Sequence, residues 1–157
     1  MITWDDISNF HTFVGSDAFP PWIKKLGDVV DGKPSIMHVD FEPKDGLSKV
    51  LSAPVTEVAT MLFDGAPPDD HSENVAKLEP ILGSTEGYLG YAIGTTHDDV
   101  DKDDVKGKAA VFLVGWQSIE AHMAIRQNPK FPESIKTLRS TSKGGSMHHV
   151  KFGERIG

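Results

Sequence analysis

The sequence predicts an α+β fold built on an antiparallel sheet, with a partial copy of its own helical part placed ahead of it. Three observations predict this. First, residues 4–26, WDDISNFHTFVGSDAFPPWIKKL, align without a gap with residues 116–138, WQSIEAHMAIRQNPKFPESIKTL. Second, from residue 54 onward short β-branched apolar runs alternate with stretches of helical periodicity. Third, 157 residues with 38% hydrophobic and 25% charged content have a globular balance, enough for one ordinary domain or two very small ones.

The repeat comes first because it sets the organisation. Trp4/Trp116, Ile7/Ile119, Phe19/Phe131, Pro20/Pro132, Ile23/Ile135, Lys24/Lys136 and Leu26/Leu138 are identical. After a one-residue slip, SIMHVDF (35–41) meets SMHHVKF (146–152), matching Ser35/Ser146, His38/His149, Val39/Val150 and Phe41/Phe152. This reads as two copies of a helix–turn–helix–strand unit, too long a period for a solenoid. Between the copies, PVTEVATMLF (54–63) reads as a strand. Pro67-Pro68-Asp69-Asp70 is a turn and helix start. Val75, Leu78, Ile81 and Leu82 follow at helical spacing, Gly83 ends that helix, and Pro80 is expected to kink or shorten it. EGYLGYAIG (86–94) is a second strand, 95–107 a polar loop, and Ala109 to Trp116 a third, strongly apolar strand. Helices at about 117–126 and 131–139 and a last strand at 146–152 complete the order β-α-β-β-α-β, the split, ferredoxin-like arrangement. Residues 1–50 supply a half-repeat, helices plus one strand, packed on a main domain of residues 51–157.

Charge and composition exclude whole classes of function. A net charge of −7 argues against nucleic acid and against an anionic membrane surface as partner. With no cysteine, disulfides, thiolate catalysis and thiolate-held metal sites are excluded. No apolar run approaches the roughly 18 residues of a membrane span, and the start MITWDD lacks signal-peptide regions, so a cytoplasmic protein is expected.

The run GWQSIEAHMAIRQNPKFPESI followed by MHHVKF, with its G-W-x-S-x-x-x-H signature, resembles fungal antibiotic-biosynthesis-monooxygenase-like (ABM) domain proteins. PPWIKKLGDVVDGKPSIMHVDF resembles the matching part of the first domain in tandem members. The resemblance implies the dimeric α+β barrel superfamily, which includes cofactor-free monooxygenases, polyketide cyclases, haem-using enzymes and stress proteins. Fold alone does not choose among these. A sheet with helices on one face leaves the other face bare, here with apolar residues of 54–63, 86–94 and 109–116. Burying that face at about 25 cal/mol per Å² favours a homodimer whose two sheets enclose a cavity.

His38 and His149 are the candidate catalytic residues. If Val39 and Phe41, and Val150 and Phe152, pack under the helices, the histidines face the barrel cavity, where a neutral imidazole would serve as general base. The structural alternative is a histidine that fixes a strand end. Tyr88, Tyr91, Trp116 and His122 are candidate substrate-binding residues. Tyr88 and Tyr91 are expected on opposite faces of one strand; the alternative is a cross-strand aromatic contact. Trp116 is a core anchor or a pocket wall. His122 aligns with Phe10, and a position that accepts Phe reads as packing. Ser118 reads as a helix N-cap. Asp99-x-Asp101-x-Asp103 imitates a calcium loop without its Gly and Glu and reads as a solvated hairpin. Asp69-Asp70-His71 reads as a helix start ahead of a metal site. No Gly-rich phosphate loop is present.

The expected function is a small-molecule enzyme acting on an aromatic or polyketide-like substrate, by cofactor-free oxygenation or base-catalysed cyclisation or isomerisation. No metal or flavin is expected. The alternative is a non-catalytic stress-response or hydrophobic-ligand-binding barrel. In a haem protein, His38, His149 or His97 would be the axial ligand.

Overall fold

In the computed structural model, which describes residues 1–31, 36–102 and 104–153, the chain divides into two units, Met1–His38 and Val39–Gly157. The first unit holds two short helices, α1 (Ile7–Val14) and α2 (Phe19–Gly27). Asp6 caps α1 by accepting the Ser8 N–H at 2.8 Å. Proline in the first turn of α2 is in the position where its missing N–H costs nothing. Trp4, Phe10, Phe13, Phe19 and Trp22 form a ring cluster with centroids 5.5–5.9 Å apart. Neither helix holds a buried residue.

The second unit is the α+β fold. A helix the sequence reading did not anticipate, α3 (Lys44–Leu51), precedes β1 (Val55–Leu62). Then come α4 (His71–Gly83), β2 (Tyr88–Thr95), a small hairpin β3 (Val100–Lys102) and β4 (Val105–Gly107), and β5 (Ala109–Trp116). Helix α5 (Ile119–Ala124) runs into a 3-10 turn (Ile125–Gln127). Helix α6 (Phe131–Ser140) and strand β6 (Gly144–Val150) end the fold. The sheet order is β2-β5-β1-β6, with every neighbouring pair antiparallel, which is the ferredoxin-like arrangement. A single chain does not close a barrel. Central β5 is buried along its whole length, as its unbroken apolar run requires. Pro80 lies inside α4 and the helix continues past it to Gly83.

Each face of the sheet has its own core. Met61, Phe112, Val114 and Trp116 pack under α4, α5 and α6 with Leu78, Ile81, Leu82, Ile125 and Leu138. Val111, Leu113 and Ala92 pack on the opposite face with Val50 of α3 and Phe41. That second face was expected to be bare; residues of this same chain cover its β2–β5 half. Gly46 makes this possible, since a Cβ there would collide with the Tyr91 carbonyl. The strand expected at 35–41 is replaced by two isolated bridges, Val39 to Thr96 and Glu42 to Ile93. Phe41, between them, is buried in the core instead of extending a ladder. Ser35 and Asp103 lie outside the described residues.

Candidate functional site

The site begins with an acid in an apolar strand. On β1, Val55, Ala59 and Met61 face the helices, and so does Glu57, which shares their parity. The Trp116 indole N–H donates to Glu57 Oε2 at 3.3 Å. Register then brings in the other members. Glu57 pairs with His149 of β6, as Val55 pairs with Trp116 of β5. Ser118 caps α5 by accepting the Ala121 N–H at 3.1 Å, which sets the helix so that His122 points back at the sheet. His122 Nε2 lies 3.4 Å from Glu57 Oε2, and His122 Nδ1 lies 2.7 Å from His149 Nε2. Its ring stacks on Trp116 at 5.3 Å. The result is a continuous polar chain, Glu57–His122–His149. Neutral His122 carries a single N–H, so its Nδ1 either donates to or accepts from His149 Nε2 while Nε2 faces the carboxyl group.

The electrostatics follow from burial. His122 is 5% exposed, and removal from water together with neighbouring His149 and Arg126 pushes its pKa down to about 4. Burial raises the Glu57 carboxyl above its ordinary value, against the indole hydrogen bond and the charges of His149 and Arg139. The acid is thereby moved toward the range in which a carboxylate is an effective general base.

Glu57, Trp116 and His122 stand at one end of a cavity of about 880 Å³ between the sheet and the helices. Ala59, Met61, Phe112, Val114, Ile125 and Leu138 supply much of its apolar wall. Arg126, Arg139 and Lys143 also line it, and all three are exposed at its rim.

Of the sequence-predicted residues, Trp116 and His122 line the cavity, His149 contacts His122, and Tyr88 and Tyr91 pack against the helix-side core; their placement differs from expectation in two ways. His149 was expected to face away from the helices. It faces His122 on α5, while Val150, paired with Thr56, takes the opposite face. The cavity is therefore under the helices, and the histidine meets His122 by the parity that was expected to turn it away. Tyr88 and Tyr91 were expected on opposite faces. A bulge between Tyr88 and Gly90, with Gly90 at φ 148°, inserts one residue and turns both rings toward the helix-side core. Tyr88 lies 5.9 Å from Trp116, and burial with nearby Glu79 and Tyr91 pushes its hydroxyl up to about 12. Burial and Glu79 also raise Tyr91.

His38 belongs to the first unit, where its ring lies 4.1 Å from Phe10. Glu57 was missed, although an acid among Val55, Ala59 and Met61 on one strand face was a readable signal. Among the described residues no cluster of three His, Cys, Asp or Glu suits a metal. Asp70 is the N-cap residue of α4 and His71 its first residue. Val100–Lys102 and Val105–Gly107 form the expected hairpin. No helix among the described residues is long and apolar enough to cross a membrane.

No family model matches the chain, and no curated protein sequence matches it. Solved structures do. SnoaB, a cofactor-independent oxygenase from Streptomyces nogalater, superposes with a TM-score of 0.50 at 17% identity, over 65% of this chain and 95% of its own. A protein from Fusobacterium nucleatum named as a monooxygenase superposes with a TM-score of 0.52 at 16% identity, over 94% of this chain and 65% of its own. At these identities the likeness shows the ferredoxin-like fold that such oxygenases use.

Proposed function

We propose that this chain is a small-molecule enzyme that acts on an aromatic or polyketide-like substrate in the helix-side cavity, by cofactor-free oxygenation or base-catalysed cyclisation or isomerisation. The observation that carries this reading is the polar chain Glu57–His122–His149 at one end of a cavity with a largely apolar inner wall. The Glu57 carboxylate takes a proton from an acidic C–H or O–H of the substrate. Neutral His122 with its N–H on Nδ1 presents a free Nε2 lone pair 3.4 Å from the carboxyl group, takes the proton there and releases the Nδ1 proton to His149 Nε2. His149, half-buried on edge strand β6, passes a proton outward. Removing the proton leaves a carbanion or enolate held against Trp116. In a cyclase or isomerase this attacks or is reprotonated at another carbon. In an oxygenase it reduces dioxygen, forming the C–O bond of a hydroperoxide, which loses water to leave a carbonyl. A homodimer is part of the proposal, since β6 is an open sheet edge with Met147 exposed, and such edges are normally covered.

An anthrone is a suitable probe, because its ring-flanked C–H is acidic and its oxidation to an anthraquinone is read by absorbance and oxygen uptake. Accelerated uptake is expected from the wild type, with a loss of about 100-fold in Glu57→Gln. His149→Ala should lose less and shift the pH profile. No acceleration with the anthrone or with enolisable polyketide analogues would leave a binding barrel in place of an enzyme.

A further inference from the structure

The charge lining this cavity is opposite in sign to that of the chain as a whole. The chain carries a net charge of −7, and some of its basic side chains are matched with acids: Lys49 with Asp45 at 3.0 Å, Lys77 with Glu73 at 2.9 Å and Lys108 with Asp99 at 2.9 Å. Arg126, Arg139 and Lys143 line one cavity, and among the described residues none of them has an ion-pair partner. The three come from separate places, the 3-10 turn, the last turn of α6 and the residue before β6, so no single helix face puts them together. Among the described residues the only carboxylate on the lining is Glu57, at the inner end. Arg139 is near enough to favour its charge, and Arg126 is near enough to His122 to disfavour protonation there.

We infer that the cavity is selective for anions, taking a largely apolar ring system that bears a carboxylate or an ionised enol, with the ring among the apolar walls and the charge on Arg126, Arg139 and Lys143. This names the substrate class of the site proposed above and rests on that reading only in sharing its cavity. An uncharged ligand of the same shape would leave three cations facing it unanswered. An anion gains their field in a partly water-excluded mouth, where charges interact more strongly than on an open surface.

Calorimetric titration of the full chain with 2-naphthoate and with 2-naphthamide, isosteres that differ in charge, tests this. Naphthoate should bind at least about tenfold more tightly, with the advantage shrinking as salt rises from about 20 to about 500 mM. Arg126→Gln/Arg139→Gln/Lys143→Gln should abolish the preference and leave the denaturation midpoint in place, since all three side chains are exposed. Should the triple variant misfold, the salt titration of the wild type decides alone. Equal or tighter binding of the amide, a preference that survives charge removal or high salt, or no binding of either probe overturns the inference. Anion-selective binding with no turnover would sustain it while the enzyme reading fails. Turnover of neutral substrates without anion preference would do the reverse.

Discussion

Trp4 and Trp116 open the same run of sequence, and they meet different fates. Trp116 is 0% exposed, at the end of β5 under α5. Trp4 is 37% exposed, with the rings of Phe10 and Phe13 of its own unit 5.9 and 5.6 Å away. Each is followed by two short helices, each first helix is capped by a side-chain oxygen (Asp6 or Ser118), and each second helix begins Phe-Pro. The local signals therefore make helices in both places. The second pair sits on a four-stranded sheet, where α6 buries Leu138 and α5 buries His122, while α1 and α2 hold no fully buried residue. Local sequence chooses a helix, and a long-range surface makes it part of a core.

The largest break in this comparison should come from the two tryptophans themselves. Trp116→Ala removes the largest fully buried side chain and should cost about 3–5 kcal/mol in chemical denaturation. Trp4→Ala should cost clearly less. Equal costs would mean that the first unit is as well packed as the second.

Next is the aligned pair Phe10 and His122. His122 has its pKa lowered to about 4 from 6.5, so the stability present above pH 6.5 is lost as pH falls toward 4, by about 3 kcal/mol. Glu57 is shifted upward, so its contribution has the opposite sign and is lost as pH rises from 4.5 through its folded value. His122→Phe, which installs the first copy's residue, should remove the acid loss and expose the Glu57 dependence alone. Denaturation midpoints measured from pH 4 to 7 should then rise toward acid in the variant and fall toward acid in the wild type. An unchanged profile would show that His122 is not buried as a neutral ring.

A smaller effect should come from the cap. Ser118→Ala should cost about 1 kcal/mol. Because this cap aims His122, it should also weaken naphthoate binding, whereas Asp6→Ala should reduce helicity in circular dichroism and leave binding alone.

Much of the fold was legible. Apolar alternation in 54–63 and 109–116, the helical spacing of Val75, Leu78, Ile81 and Leu82, and the Phe-Pro helix starts all lie where the elements form. Helix α3 was not legible, since KDGLSKVL carries a glycine that only close approach to β2 explains. In the site, His149, His122 and Trp116 were named from sequence, but their association was not. His38 and His149 are equivalent in the sequence pattern, yet only His149 lies on a strand registered against Glu57. The tyrosines were misplaced by the single residue of the bulge at Gly90, which reverses the parity of everything beyond it.

By itself, then, the sequence determined most of the segments that become helix or strand from residue 54 onward and their order, because propensity, capping and periodicity act over a few residues. The tertiary structure decided which face of β6 meets the helices, where the cavity lies and that Glu57, His122 and His149 touch. Those outcomes depend on the register of β1, β5 and β6 and on how α5 seats against them. Contacts between groups 65 and 27 residues apart, such as Glu57–His122 and His122–His149, are settled only when the whole sheet has formed.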